Sequence, residues 1–338
     1  MATVKSWVYT HAGFPETLQL QDTEVPSKPS PNHLLLRVKA AALNPVDVQM
    51  MNLPLNSIPG LDRPKIVGKD FAGIVLDAAP DTGFSSGDEV MGVTKALNGS
   101  GSLTEVAHVD TRGSAIVKKP ESMSWNEAAS LPLVWLTACA AVEKCAPFLE
   151  TSSKKKIAIL GGSSATGIYM VHLARERGWQ IMSTCSGRNV EFLRQRGADQ
   201  VTDYTTSADA VYRAVSSFQP DAIIDCVGGT ECIGLAKKYV TIVGDKVDRS
   251  SMGGAFLYLT SPRMVWRWLC GYFGVWNSYD CIIFPLNNEW LQRTTGLRRE
   301  EIVIDSVFQF DKVNEAFEKL GTSRTRGKVV VEIEETRT

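Results

Sequence analysis

The sequence predicts an α/β protein that combines a doubly wound parallel sheet with a second, β-rich domain. Its 338 residues exceed the length of one typical domain, so two domains are expected. Between residues 126 and 289, short apolar runs alternate with helical patterns, as in βαβ units with a parallel sheet. Residues 1–125 instead carry short strand-like segments divided by Pro and Gly.

These changes in pattern place the domain boundaries. We expect a β-rich domain over residues 1–125 and a parallel-sheet domain over residues 126–289. Residues 290–338 resemble the N-terminal part in composition and end in the strand-like run GKVVVEIE. We therefore expect this C-terminal segment to return and complete the N-terminal domain.

Composition excludes several classes of protein. Apolar residues make up 44% and charged residues 22%, and the net charge of −1 provides no basic surface for nucleic acid. The seven cysteines are dispersed without a C-x-x-C pair, which is typical of free thiols in a reducing compartment. The N-terminus has no apolar signal region, so we expect a cytoplasmic protein.

Residues 252–286 are rich in apolar and aromatic side chains, but charged residues interrupt them. No uninterrupted run reaches the roughly 18 residues of a membrane-spanning helix, so we predict no integral membrane segment. We interpret this stretch as buried core or a subunit interface, with membrane contact as the alternative.

The segment KKKIAILGGSSATGIYMVHLAR, residues 154–175, predicts a strand, a tight turn and a helix. A dinucleotide-binding Rossmann turn has the pattern G-x-G-x-x-G, and its three positions here are Gly162, Ser164 and Gly167. Serine is small enough to let a phosphate approach, and the helix N-terminus would hold the pyrophosphate. The alternative is that Ser164 only caps the helix. The candidate phosphate cradle is Gly162, Ser163, Ser164, Ala165, Thr166 and Gly167.

The end of the next predicted strand, QIMSTC, bears on the choice of cofactor. NAD-specific proteins place Asp or Glu there to bind the ribose 2′-OH. This chain has Ser186, Gly187, Arg188 and Asn189 instead. A hydroxyl and a guanidinium can bind a 2′-phosphate through charge-assisted hydrogen bonds, so we predict NADPH. The alternative for Arg188 is a solvated residue at a helix start, a position where the helix dipole does not favour a cation.

Two further strand-like runs, in DAIIDCVGG (221–229) and TIVGDK (241–246), lead into glycine. Ligands of open α/β sheets bind outside the carboxyl ends of the strands. These ends could also be ordinary strand-to-loop turns. The residues we expect to flank the nicotinamide half of the cofactor are Cys226, Val227, Gly228, Val243 and Gly244.

In this order, the motifs resemble the medium-chain dehydrogenase/reductase superfamily, and above all its zinc-independent quinone oxidoreductase branch, the zeta-crystallin-like and enoyl reductase proteins. The resemblance spans nearly the whole chain and implies a GroES-like catalytic domain, a Rossmann domain, NADPH and a homodimer. Thr137 is a further candidate cofactor contact within it. The other segments that carry it are AALNPVDVQM (41–50), IVGKDFAGIV (66–75), SSGDEVMGV (85–93), GSLTEVAHVD (101–110), WNEAASLPLVWLTACAAV (125–142), DYTTS (203–207) and the closing RGKVVVEI.

The resemblance also implies roles for individual residues. Asn44 and Asp47 match an Asn-Pro-x-Asp segment under the nicotinamide, although helix capping is an equal alternative for Asp47. Tyr204 matches a Tyr near the adenosine 2′-phosphate. Gly327 and Lys328 match a C-terminal Gly-Lys near the cofactor cleft.

The zinc-dependent branch of the same superfamily would have Cys at Asn44, and His and Glu at Lys69 and Asp70. It would also carry four Cys near residues 95–115, which contain none. Tetrahedral zinc needs such ligands, so we predict no metal.

The resulting functional prediction is NADPH-dependent hydride transfer to quinones or to C=C bonds conjugated with a carbonyl. Negative charge develops on the conjugated oxygen, and Asn44 is the candidate that orients the substrate or donates to that oxyanion. Trp135, Phe256 and Tyr258 are candidate walls of a substrate pocket, with core or dimer interface as the alternative. Two other functions stay open: a trans-acting enoyl reductase of a polyketide-type pathway, and a non-catalytic NADPH-binding scaffold.

Overall fold

The computed structural model describes residues 1–60, 62–95, 99–246, 261–283 and 285–333, and the chain forms two compact units. The first unit contains the described residues of Met1–Leu136 and those that follow residue 285. The second contains the described residues from 137 to 285. The predicted candidates Phe256 and Tyr258 lie outside the described residues.

The secondary structure is as follows. The strands are β1 (Ala2–Tyr9), β2 (Gln19–Val25), β3 (His33–Leu43), β4 (Lys65–Ile66), β5 (Asp70–Ala78), β6 (Glu89–Thr94), β7 (Val106–Asp110), β8 (Ser114–Lys118), β9 (Lys156–Leu160), β10 (Gln180–Cys185), β11 (Gln200–Asp203), β12 (Ala222–Asp225), β13 (Lys238–Thr241), β14 (Ser278–Cys281), β15 (Ile304–Gln309) and β16 (Lys328–Glu332). The helices are α1 (Pro45–Met51), α2 (Trp125–Ser130), α3 (Pro132–Glu150), α4 (Ala165–Glu176), α5 (Val190–Gln195), α6 (Ala210–Phe218), α7 (Pro262–Tyr272), α8 (Asn288–Gln292) and α9 (Val313–Gly321).

The main sheet of the first unit has the order β15-β16-β3-β5-β6-β8, and β7 also pairs with β3. Strand β16 runs antiparallel to β3 with Val330 opposite Ala42, so the C-terminal segment completes the N-terminal sheet. Helix α9 buries Val313, Phe317 and Leu320 against this core, which is the spacing of one helical face. The unit ends after Leu136 rather than after residue 125, because α2 packs against β3 and β5.

The described part of the second unit forms a parallel sheet in the order β11-β10-β9-β12-β13-β14. Strand β9, KIAIL, is buried along most of its length, as expected of a central parallel strand. It pairs on one side with β10 and on the other with β12, so the strand order reverses at β9. The predicted α/β class with its parallel sheet is confirmed.

One described helix, α3, is long and apolar enough to cross a membrane by length and composition alone. In its most apolar window 67% is buried inside the protein. The core helix of a globular protein passes the same test, so this helix is weak evidence for a membrane span.

Candidate cofactor and catalytic sites

The turn between β9 and α4 has the geometry of a phosphate cradle. Gly161, which the motif analysis did not single out, opens it with a φ of 81°, a conformation that favours glycine. Ser164 is the N-cap of α4, and its Oγ accepts a hydrogen bond from the Gly167 N–H (3.1 Å). The first N–H groups of a helix lack partners within it and carry the positive end of its dipole, which suits an anion.

The glycines of this turn are required by packing. A Cβ on Gly162 would overlap Ser183 Oγ, and a Cβ on Gly167 would lie 2.8 Å from Gly162 Cα. Gly167 therefore lets α4 start close to the end of β9, which is the role of the third glycine in the fingerprint. Residues 163–166 are partly exposed, so Ala165 and Thr166 meet no such packing demand.

The loop after β10 lies beside this turn. Asn189 Nδ2 donates to Ser163 Oγ (3.2 Å), which joins the loop to the cradle. Arg188 is exposed in a short 3-10 turn over Gly187–Asn189. The predicted residues of the two segments are thus neighbours.

An acidic residue that the sequence analysis did not consider also belongs to this loop. Asp203 Oδ1, at the end of β11, accepts hydrogen bonds from Thr205 N (2.9 Å) and Thr205 Oγ1 (2.7 Å). These bonds, and one from the Gly187 N–H, hold the pKa of Asp203 below its usual value. The predicted Tyr204 follows and is exposed. The sequence feature that could have identified Asp203 is its D-x-T spacing to Thr205, which is typical of an Asx turn.

The turns after β12 and β13 depend on a second residue that the sequence analysis missed. Asp225 is buried and accepts hydrogen bonds from Val227 N (2.8 Å), Gly228 N (2.9 Å) and Thr241 Oγ1 (3.3 Å). Burial raises the pKa of Asp225 to about 6, although these hydrogen bonds oppose the shift. Thr241 Oγ1 also accepts from Gly244 N (3.0 Å). Asp225 and Thr241 therefore hold both predicted glycine turns in place.

Three other predicted cofactor residues of the second unit differ in accessibility. Cys226 is buried with its Sγ 3.4 Å from Met170 Sδ, and burial raises the pKa of its thiol. Thr137 on α3 and Val243 after β13 are partly exposed. Cofactor contact by these residues stays a prediction.

The first unit contains a buried polar cluster whose members are at most 6% exposed. Lys328 Nζ donates to Asn44 Oδ1 (2.6 Å) and to Asp70 Oδ2 (2.9 Å). Asn44 Nδ2 donates to Asp70 Oδ2 (2.9 Å) and to Ala42 O (3.2 Å). Both amide hydrogens of Asn44 are thus engaged within the unit, and its role as oxyanion donor stays a prediction. The cluster consists of Asn44, Asp47, Lys69, Asp70 and Lys328.

Asp47 has one bonded and one unbonded oxygen. Oδ2 accepts a hydrogen bond from the Asn44 N–H (2.8 Å) at the start of α1, so the helix-capping contact that was the alternative for Asp47 is present. Oδ1 is buried without a hydrogen-bond partner among the described residues. Burial raises the pKa of Asp47 to about 7, and the Lys69 ammonium is the strongest of the effects that lower it.

The cluster does not fit zinc. At the positions where the zinc-dependent branch would have its ligands, Asn44 provides an amide and Lys69 an ammonium. The third position is the carboxylate of Asp70, which is already paired with Lys328. An ammonium repels a dication, and zinc prefers Cys, His and carboxylate ligands. Within the described ranges, no three His, Cys, Asp or Glu side chains lie close enough together to hold a metal ion.

The aromatic candidates for a substrate pocket fall in two different environments. Trp135 is buried and its Nε1 donates to Trp290 O (2.7 Å), so it packs in the first unit, and a pocket role for it stays a prediction. Several large apolar residues of α7 and the following turn are exposed to solvent instead. We call this the aromatic surface: Trp266, Trp268, Tyr272, Phe273, Val275 and Trp276.

Comparison with known proteins agrees with this geometry. A family model described as zinc-binding dehydrogenase matches residues 196–331, and one described as alcohol dehydrogenase GroES-like domain matches residues 30–121. The chain is 30% identical to the mitochondrial NAD(P)H oxidoreductase RTN4IP1 of Mus musculus, over 97% of this chain and 89% of that protein. It is 32% identical to 2-methylene-furan-3-one reductase of Solanum lycopersicum, over 97% of this chain and 79% of that protein.

A solved structure is similar over nearly the full length of the chain. The quinone oxidoreductase from Coxiella burnetii superposes with a TM-score of 0.79 at 25% identity, and the match covers 98% of this chain and 100% of that one. Fold, cofactor cradle and sequence similarity therefore lead to the same group of enzymes.

Proposed function

Because this chain belongs to the medium-chain dehydrogenase/reductase superfamily, we propose that it reduces quinones, or C=C bonds conjugated with a carbonyl, with NADPH and without zinc. It is an oxidoreductase that uses a nicotinamide cofactor, as are its relatives named NAD(P)H and quinone oxidoreductase. The observation that carries the proposal is the cradle of the second unit, which the Asn189–Ser163 hydrogen bond joins to the loop of Arg188.

The second unit supplies the groups that bind the cofactor. Bound NADPH would supply the hydride. The N–H groups at the start of α4 would hold the pyrophosphate, and the turns fixed by Asp225 would hold the nicotinamide half. The partly exposed Ser163 and the exposed Arg188 would hold the adenosine phosphate.

The choice of NADPH over NADH rests on a balance of charges. The Arg188 guanidinium favours a 2′-phosphate, whereas the Asp203 carboxylate, close to Gly187, opposes one. Asp203 accepts hydrogen bonds from Thr205 and from the Gly187 backbone, so part of its charge is already compensated. Arg188 is the more exposed of the two, and this supports NADPH.

Substrate class and metal independence are tested on the purified protein. It is mixed with NADPH or NADH and a panel of quinones, alkenals and enones, and the absorbance band of the reduced cofactor is followed. We expect oxidation of NADPH with at least one acceptor, and an unchanged rate after treatment with a metal chelator. Activity only on carrier-bound acyl chains would favour a trans-acting enoyl reductase. Tight NADPH binding without oxidation by any acceptor would favour a non-catalytic scaffold.

We also propose that the protein is a homodimer in the cytoplasm. The aromatic surface supports a subunit contact, since contiguous exposed aromatic side chains mark interaction sites. It lies on α7 and the turn that leads into β14, the edge strand of the described parallel sheet. All seven cysteines are free thiols and six of them are buried, which supports a reducing compartment.

A further inference from the structure

The turns that follow β12 and β13 in the second unit are bonded to each other. Lys246 N donates a hydrogen bond to Gly228 O (3.2 Å), which links the turn after β13 to the turn after β12. Gly228 has a φ of 88°, and a Cβ there would lie 2.7 Å from Lys246 Cγ, so the two turns are also packed directly together. A displacement of one turn would therefore disturb the other.

Asp245 lies next to this contact, and helix α7 holds it from outside the two turns. Arg267 Nη1 donates to Asp245 Oδ1 (2.7 Å) and to Asp245 Oδ2 (2.6 Å). The Asp245 N–H donates to Met264 Sδ (3.5 Å) on the same helix. The Tyr279 hydroxyl on β14 lies 3.5 Å from Asp245 Oδ1. The side chain and the backbone of Asp245 are thus both anchored to elements outside the turn.

The ion pair between Arg267 and Asp245 is suited to fix this geometry. Their side chains are only 20% and 18% exposed, so water screens the pair less than it screens an ion pair on an open surface. Arg267 Cζ also lies 5.7 Å from the centre of the Tyr279 ring, which is within the range of a cation–π interaction. Removal of the guanidinium would leave the mostly buried Asp245 carboxylate without its strongest partner.

We propose that Arg267 is a positioning residue for the nicotinamide half of NADPH. Through Asp245 it fixes the turn after β13, and the bond between Lys246 and Gly228 extends this effect to the turn after β12. The inference rests on the proposed function, in which these two turns hold the nicotinamide half. A binding surface that is already fixed needs no ordering when the ligand binds, so the ion pair contributes to affinity without touching the cofactor.

The adenosine half should not depend on this ion pair. The loop of Arg188 follows β10, which lies on the opposite side of β9 from β12 and β13. Adenosine 2′,5′-bisphosphate carries the adenosine phosphates of NADPH but no nicotinamide. Comparison of its binding with that of NADPH therefore separates the two halves of the site, whereas a general loss of folded protein would weaken both ligands alike.

The direct test measures both dissociation constants by isothermal titration calorimetry. In Arg267→Met we expect NADPH to bind about tenfold more weakly and adenosine 2′,5′-bisphosphate to change by less than about twofold. Arg263→Met is the matched control, because Arg263 is an exposed arginine one turn earlier on the same helix. It should bind both ligands as the wild type does.

A double-mutant cycle tests whether Arg267 acts through Asp245. Asp245→Asn should weaken NADPH binding by a factor similar to that of Arg267→Met. If the two side chains act as a pair, the double variant loses about as much affinity as either single variant. Independent effects would instead multiply to about 100-fold.

Hydrogen exchange of the wild type gives a test that requires no variant to fold. NADPH should slow amide exchange both in residues 241–246 and in α7, because a ligand that stabilises the turn also stabilises the helix that holds it. Adenosine 2′,5′-bisphosphate should leave both segments unchanged. Exchange is followed by mass spectrometry of the peptides that cover these segments.

The outcomes separate this inference from the proposed function. An equal loss of both ligands in an Arg267→Met variant with the wild-type circular dichroism spectrum overturns the inference. Multiplied effects in the cycle, or exchange in α7 that NADPH does not change, overturn it as well. A wild type that binds NADPH but oxidises it with no acceptor refutes the proposed reductase function alone, since the inference concerns binding.

Discussion

Single residues that shape the cofactor turns are largely distinct from those that would touch the cofactor. Asp225 uses both oxygens on neighbouring backbone N–H groups and on Thr241. Asp203 does the same for its loop through Thr205 and Gly187. Each carboxylate accepts hydrogen bonds from backbone N–H groups that a tight turn would otherwise leave without a partner in the protein. Such residues set the backbone to which a phosphate or a nicotinamide can bind.

Motif reasoning found the residues that would face the ligand, because their type and spacing reflect the ligand. Ser164 and Arg188 belong to this group. It missed Asp225, because its partner Thr241 lies on another strand and only the fold brings the two together. It also missed Asp203, although Thr205 is two residues away and the D-x-T spacing is typical of an Asx turn. The engagement of Asn44 by Lys328 links residues at the two ends of the chain, and no local pattern predicts it.

Arg188 tests cofactor choice at this scale. Arg188→Ala should weaken NADPH binding roughly 10- to 100-fold, the value of a charge-assisted hydrogen bond of about 1.5–3 kcal/mol, and leave NADH binding nearly unchanged. Fluorescence titration with each cofactor measures both dissociation constants. Arg194→Ala is the control, since Arg194 is an exposed arginine on the next helix, 3.9 Å from Glu191. Equal losses for both cofactors would contradict the 2′-phosphate assignment.

At the scale of elements, periodicity predicted the strands and helices of the parallel sheet well. Strand β9 is a continuous apolar run and α9 has one apolar face, and both patterns follow directly from burial. Helix α7 is different, because Val265, Trp266 and Trp268 are among its exposed residues while Met264 and Cys270 are buried. Apolar residues all around a helix do not reveal which of its faces the protein covers.

The contact between α4 and β9 tests the role of the cradle glycine. Gly167→Ala should lower the melting temperature by roughly 2–12 °C, because its Cβ would overlap Gly161 O in an already close-packed turn. Circular dichroism measures the melting temperature with and without NADPH, and the variant should also lose most of the stabilisation by NADPH. Gly296→Ala, where no atom lies within 4 Å of the added Cβ, should melt within about 1–2 °C of wild type. If Gly167→Ala has the melting temperature of the wild type, and NADPH raises it by the same amount, position 167 tolerates a side chain.

At the scale of the whole molecule, each unit presents its own chemistry. The second unit provides glycine-rich turns and a helix N-terminus for an anionic cofactor, whereas the first holds two acids and two lysines in one buried polar cluster. The two-domain organisation was predictable because sheet type changes along the chain. The position of the boundary after Leu136 was not predictable. The helical pattern of α2 and of the start of α3 does not show with which unit these helices pack.

The aromatic surface tests the proposed homodimer. Trp266 and Trp276 are each 57% exposed and their rings meet edge to face at 6.4 Å, so water contacts a surface that a second copy could bury. We expect the wild type to be a dimer by size-exclusion chromatography with light scattering, and Trp266→Ser combined with Trp276→Ser to be a monomer. Tyr212→Ser, an exposed aromatic on α6, should remain a dimer. A monomeric wild type would refute the homodimer, and its sedimentation with lipid vesicles would then assign the surface to a membrane, because indole rings prefer the interface between lipid and water.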